Sequence, residues 1–204
     1  MPKKTSQSLR TKHKILQAAT ELFVQNGYGN TSLEDVAATA GVTKPTIYSH
    51  FGSKDRLLLA ITEAHASGKV EAMSSMLRST GDVRADLTRF GKVFLERVMG
   101  EQASCWHRLA MTESAEYPEI GQALFKAGPA RVMGALQRFI QGEMTARRLN
   151  CTDASVAAEQ FIGLLSGLQP IRTMTGQKPP SRAMQQRICD AAVDTFLAAF
   201  GEVA

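Results

Sequence analysis

The sequence predicts an all-α protein: an N-terminal three-helix head and a larger C-terminal helical bundle. Three observations lead to this reading. Apolar residues recur at helical spacing from about residue 12 onward. No stretch alternates apolar and polar residues with a period of two, and no hairpin signal occurs. Residues 31–54 read as two short helical patterns joined by a tight turn, the layout of a helix-turn-helix.

The elements follow in order. A first helix is expected from about Lys12 to Gln25, with Ile15, Ala18, Ala19, Leu22 and Phe23 inward and Asn26-Gly27-Tyr28 closing it. Thr31 or Ser32 can cap the second helix, where Leu33, Val36, Ala37 and Ala40 form one buried stripe. Gly41 supplies the left-handed residue that ends it. Thr43 is placed to cap the third helix, and Pro45 lies in its first turn, where a missing N–H costs nothing. Ile47 and Phe51 point inward. Thr43, Lys44, Thr46, Tyr48 and His50 are left outward, a mix of hydroxyls, cation, phenol and imidazole suited to phosphates and base edges.

Ser53 opens a fourth helix that runs to about Leu77, with Leu57, Leu58, Ile61, Ala64, Val70 and Met73 inward. Helices over Val83–Met99 and Ala103–Glu116 come next. Pro118 starts a seventh, which Gly128-Pro129 can kink. Asp153 caps an eighth reaching about Met174, residues 175–180 break the chain, and Ser181 caps a ninth ending near Phe200. Two domains are expected: a DNA-reading head over residues 1–52 with a basic arm, and a helical body over 53–204. Residues 1–9 lack apolar periodicity and are expected to be disordered without DNA.

The net charge of +5 is unevenly placed. Residues 1–56 hold eight Lys/Arg against four Asp/Glu, whereas residues 57–204 hold sixteen against fifteen. The excess sits with the helix-turn-helix, as a polyphosphate partner requires. No apolar run is long enough to span a bilayer and no signal-peptide core follows the basic N-terminus, so a cytoplasmic protein is expected. Cys105, Cys151 and Cys189 are widely spaced, which leaves buried structural thiols or redox sensing open. The four histidines lack metal-ligand spacing, and no nucleotide-binding, zinc-protease or nucleophile-elbow motif occurs. No cofactor, metal or catalytic activity is therefore expected.

The run Gly41-Val42-Thr43-Lys44-Pro45-Thr46-Ile47-Tyr48-Ser49-His50-Phe51-Gly52-Ser53-Lys54 resembles the signature of TetR/AcrR-type bacterial regulators, over roughly residues 10–60. Glu116-Tyr117-Pro118-Glu119-Ile120, Gly128-Pro129-Ala130-Arg131 and Ala158-Glu159-Gln160-Phe161 are similar to the ligand domain of AefR-like members. The resemblance implies a homodimeric regulator of double-stranded operator DNA. Lys44 would be the chief base reader with Thr43, Pro45 and Thr46 beside it. Thr31 or Ser32, Tyr48, His50 and Lys54 would touch phosphate. It also implies a small-molecule effector in the body, where Phe94, Met99, Trp106, Met111, Phe125 and Met133 are soft or aromatic candidates for lining an apolar pocket.

A two-fold axis suits paired half-sites ~34 Å apart. The last two long helices are the interface candidates, through Gly163, Gly167, Leu168, Ile188, Ala192 and Phe196. The expected function is a ligand-responsive repressor that a mostly apolar molecule releases from its operator. The alternative is an architectural DNA-binding protein or activator without an effector.

Overall fold

A computed structural model describes residues 2–99 and 108–202, excepting the side chains of residues 2–6, 65–69, 72, 173 and 174. The helices are α1 (Pro2–Asn26), α2 (Leu33–Ala40), α3 (Lys44–Phe51), α4 (Lys54–Ser74), α5 (Val83–Met99), α6 (residues 108–113), α7 (Pro118–Ala127), α8 (Pro129–Thr145), α9 (Ala154–Ser166), α10 (Gln169–Met174) and α11 (Arg182–Phe200). Among the described residues there is no strand. One isolated antiparallel bridge pairs Leu149 with Gly201.

Three boundaries depart from expectation. Helix α1 begins at Pro2 instead of near Lys12, so the arm is helical and not disordered. Proline is tolerated in a first turn, and Lys3 to Lys14 contains no further breaker, so the helix extends without an apolar stripe. Gly128 and Pro129 separate α7 from α8 instead of kinking one helix. Gly167, at φ 49° and ψ −131°, divides α9 from α10, a backbone geometry that a residue with a Cβ resists.

The described residues form two compact units. The first holds the residues up to Ala66 together with 108–124. Ile15, Ala19, Phe23, Val36, Ile47, Leu57 and Leu58 are fully buried in its core, joined by Ala110 and Ile120. The head therefore does not end at residue 52. Three short helices bury too little apolar surface alone, and the start of α4 and the α6–α7 stretch complete the core. Ala64, expected inward, is exposed.

The second unit holds the remaining described residues, from Ser67 to Met99 and from Phe125 to 202. Helix α5 presents Val83, Leu87, Phe90 and Phe94 at helical spacing to Leu136 and Phe139 of α8, Phe161 and Leu165 of α9, and Val193 and Phe196 of α11. Aromatic rings run through it: Phe90–Phe161 at 6.3 Å, Phe161–Phe196 at 5.1 Å and Phe196–Phe200 at 5.0 Å between centroids.

Two buried carboxylates pin the loops of this unit. Asp86 accepts hydrogen bonds from the Thr80 amide and hydroxyl, each at 2.8 Å, and from Arg89 at 2.7 Å. Burial works against the ionised form, but these donors outweigh it and hold the carboxyl below its ordinary range. Glu143 is held in the same way by Arg148, whose Nε lies at 2.5 Å. Arg89 also donates to the Met76 and Arg78 carbonyls, closing the α4–α5 connection.

Gly91 decides how closely α5 approaches α9 and α11. A Cβ there would lie 2.7 Å from Cys189 Sγ and 3.2 Å from Leu165 Cδ2. Gly91→Ala should therefore destabilise the protein by about 1–3 kcal/mol, despite the better helix propensity of alanine. Thermal or urea unfolding by circular dichroism reads this directly. A gain in stability would mean that the three helices separate at little cost.

Candidate nucleic-acid interface

Helices α2 and α3 are built by local rules. Ser32 caps α2 in a reciprocal box: its hydroxyl accepts from the Asp35 amide at 3.1 Å, and Asp35 accepts from the Ser32 amide at 3.0 Å. Gly41, at φ 66°, ends the helix by donating its amide to the carbonyls near the C-terminus. Thr43 occupies the N-cap position of α3 but does not cap with its side chain. Its hydroxyl instead meets that of Thr46 at 2.8 Å. Pro45 lies in the first turn as expected. Ile47 and Phe51 are buried, Lys44, Thr46 and His50 are half-buried, and Tyr48 is 46% exposed.

The cations of this face have partners. The Lys44 ammonium is ion-paired with Glu34 of α2 and lies 5.8 Å from the Tyr48 ring centroid. Lys54 donates to the Tyr28 carbonyl at 2.5 Å, and its ammonium stands 4.1 Å from the centroid of the Tyr28 ring. Partial burial lowers the pKa of Lys54. An open hollow of about 430 Å³ lies between the start of α2 and these side chains, lined by Asn30, Ser32, Glu34, Lys44, Tyr48 and Lys54 among others.

Thr31 does not belong to the contact face. It is 2% exposed, and its hydroxyl faces the carbonyls of Gly27 at 2.9 Å and Leu22 at 3.3 Å. The turn after α1 carries it inward, so Ser32 is the exposed residue of the pair. Sequence reading missed Tyr28 and Glu34 as parts of this site. Tyr28 hydrogen-bonds Asp55 through its hydroxyl and meets Phe23 and Tyr117 edge-on at 5.2 and 5.7 Å. Burial first, and the Asp55 bond second, push its phenol pKa upward. The pairing of Glu34 with a residue ten positions later leaves no periodic trace.

Residues 15–61 match bacterial regulatory proteins of the tetR family, and residues 85–202 match the C-terminal domain of AefR-like transcriptional repressors. The chain belongs to the TetR family. It is a DNA-binding transcriptional regulator of that family, as its helix-turn-helix leads one to expect. A solved TetR-family regulator from Mesorhizobium loti superposes with a TM-score of 0.90 at 26% identity, over 96% of this chain and 98% of the other. The flavonoid-responsive regulator FrrA superposes with a TM-score of 0.78 at 25% identity, over 96% and 99%. The transcriptional activator FasR of Mycolicibacterium smegmatis is 38% identical over 82 residues, 40% of this chain and 37% of FasR. The chain thus covers only 37% and 45% of the first curated relatives it matches.

The described candidate effector residues fall in different surroundings. Phe94 and Met99 are buried in the core of the second unit, and Met133 packs beside it. Met111 is 45% exposed and Phe125 61% exposed. Phe125 follows the buried Ile120 by five residues, about 140° around a helix, so the two cannot share an inner face. Trp106 lies outside the described residues, as does Cys105. Cys151 and Cys189 are buried, and desolvation pushes the Cys189 thiol up to about 11, so neither is a ready thiolate.

The candidate interface residues also divide. Ala192 and Phe196 are 3% and 1% exposed and belong to the chain's own core, because they face Phe161 and α5. Gly163, Gly167 and Leu168 are exposed, and Ile188 is half-buried. Val156, Leu164, Leu168 and Ile171 form an outward apolar stripe along α9 and α10.

Because Thr31 is internal, Thr31→Val should lower stability by about 1–2 kcal/mol through loss of the hydroxyl's buried hydrogen bond, chiefly to the Gly27 carbonyl. The salt dependence of DNA binding should not change. A flattened salt slope with unaltered stability would return Thr31 to the phosphate-contacting set.

Proposed function

We propose that this chain is a cytoplasmic, homodimeric, effector-responsive repressor that reads operator DNA with α3. The observation that carries the DNA part is that Lys44, Thr46, Tyr48 and His50 stay at least partly accessible around α3 while Ile47 and Phe51 are buried. Lys44 reads a base edge, with Thr43, Pro45 and Thr46 alongside, while Ser32, Tyr48, His50 and Lys54 meet phosphates. Lys54 must first leave the Tyr28 carbonyl, so its contact forms on binding. The basic balance of residues 1–56 favours the approach.

The effector is a small, mostly apolar molecule held in the body, with Phe94, Met99, Trp106 and Met133 as the candidates at its edge. Support comes from the AefR-like match over residues 85–202 and from the structural likeness to a regulator that responds to flavonoids. Effector binding would favour a state with low operator affinity, a shift between two populations. A second reading, activation, is favoured by the likeness to FasR, which is an activator. A reporter gene under the chain's own operator separates the two by the sign of its response.

For the dimer, Gly163 is the telling residue. Apart from its chain neighbours and the backbone of its own helix, no described atom lies within 4 Å of where its Cβ would be. A mid-helix glycine is less favourable than alanine by about 0.8–1.0 kcal/mol, and the chain's own packing does not require it. Close approach of a second copy along α9 and α11 would.

Lys44→Ala should weaken operator binding by about 1–3 kcal/mol and relax preference at one base position. Titration of the variant against a selected operator and single-base changes tests this; unchanged binding would remove α3 as the reader. For the dimer, Leu168→Glu should yield a folded single chain, because a buried unpaired charge costs several kcal/mol. Light scattering paired with circular dichroism measures both properties. A variant that remains dimeric would move the interface elsewhere.

A further inference from the structure

The partner of Lys44 is an unusual one for a base-reading cation. Glu34 stands in the first turn of α2, 62% exposed at its side chain, and its carboxylate takes the Lys44 ammonium. The same carboxylate lies against its own backbone amide, and these contacts hold its pKa down, Lys44 contributing most. An anion thus already occupies the positive end of α2 and the cation facing it, at the edge of the hollow that Tyr48 and Lys54 also line.

We propose that Glu34 is an affinity-limiting residue, an intramolecular competitor that operator DNA must displace from Lys44. The inference rests on the reading of α3 given above. On DNA that offers Lys44 no matching base edge, the ion pair persists and Lys44 releases no counterion from the phosphate backbone. On the operator, a base acceptor replaces the carboxylate, and the base contact offsets the loss of the pair. Glu34 therefore weakens operator binding, where the pair must break, at least as much as binding to random sequence, where it persists. An exposed pair of this kind is weak enough to be exchanged on binding.

The test uses the full chain, a duplex selected from a randomised pool, and a scrambled duplex of equal length. Glu34→Gln keeps the shape and removes the charge; Lys44→Ala and the double variant complete a cycle. Glu34→Gln should tighten operator DNA about threefold or more near 0.1 M salt and scrambled DNA by no more than that, and its salt slope on scrambled DNA should steepen by about 0.9. In the Lys44→Ala background the gain should vanish. Unchanged slopes, a gain that survives without Lys44, or weakening confined to operator DNA would overturn the proposal, the last by making Glu34 itself a base reader. If Lys44→Ala alone binds operator like the parent, the reading of α3 fails. If it weakens binding while Glu34→Gln changes nothing, only the competitor role fails. Matching circular dichroism melts exclude loss of α2 as the cause.

Discussion

Tyr28 sits where the first unit is tied together. It follows the left-handed Gly27, so the chain leaves α1 sharply and carries the ring inward to 5% exposure. The phenol then binds Asp55 at the start of α4, the ring carries the Lys54 ammonium on its face, and its edge meets Tyr117 beyond α6. One residue therefore links α1, α4 and the α6–α7 stretch. The angle at which α2 and α3 emerge depends on this knot, because both follow directly from the turn that Tyr28 and Thr31 hold. Loss of the phenol would leave the Asp55 carboxylate without this donor and loosen the stage on which Lys44 is displayed.

Cations at this end are restrained rather than free. Lys44 is neutralised by Glu34, and Lys54 is turned onto a carbonyl and a ring. A basic surface whose charges all pointed into water would bind any polyanion, since counterion release is indifferent to sequence. Partners within the protein make each contact conditional on something better being offered.

In the second unit, close packing and polar anchoring share the task. Gly91 lets three helices approach, and Asp86, bonded by Thr80 and Arg89, and Glu143, bonded by Arg148, fasten the loops at the helix ends. Buried carboxylates satisfied in this way specify loop position more than they add stability. Their placement leaves the apolar residues of α9 and α10 that the core does not use facing outward, where a second chain would cover them.

Much of this protein was legible from residue order. The all-α class, a cap on α2 from Thr31 or Ser32, the stop at Gly41, the inward pair Ile47 and Phe51, and the break near residue 175 follow from local spacing and turn chemistry, which act within a few residues. What only the tertiary structure decided depends on residues far apart in the chain. Thr31 and Ser32 are equivalent as caps, and the turn at Tyr28 buries one and exposes the other. Ala192 and Leu168 both read as interface, and only the first is buried in the core of the second unit. Lys44 and Lys54 read as free cations, yet Glu34 and Tyr28 claim them across 10 and 26 positions. Periodicity states which face of a helix is apolar; which neighbour that face meets, its own chain or another molecule, is set by the packing of all the helices together.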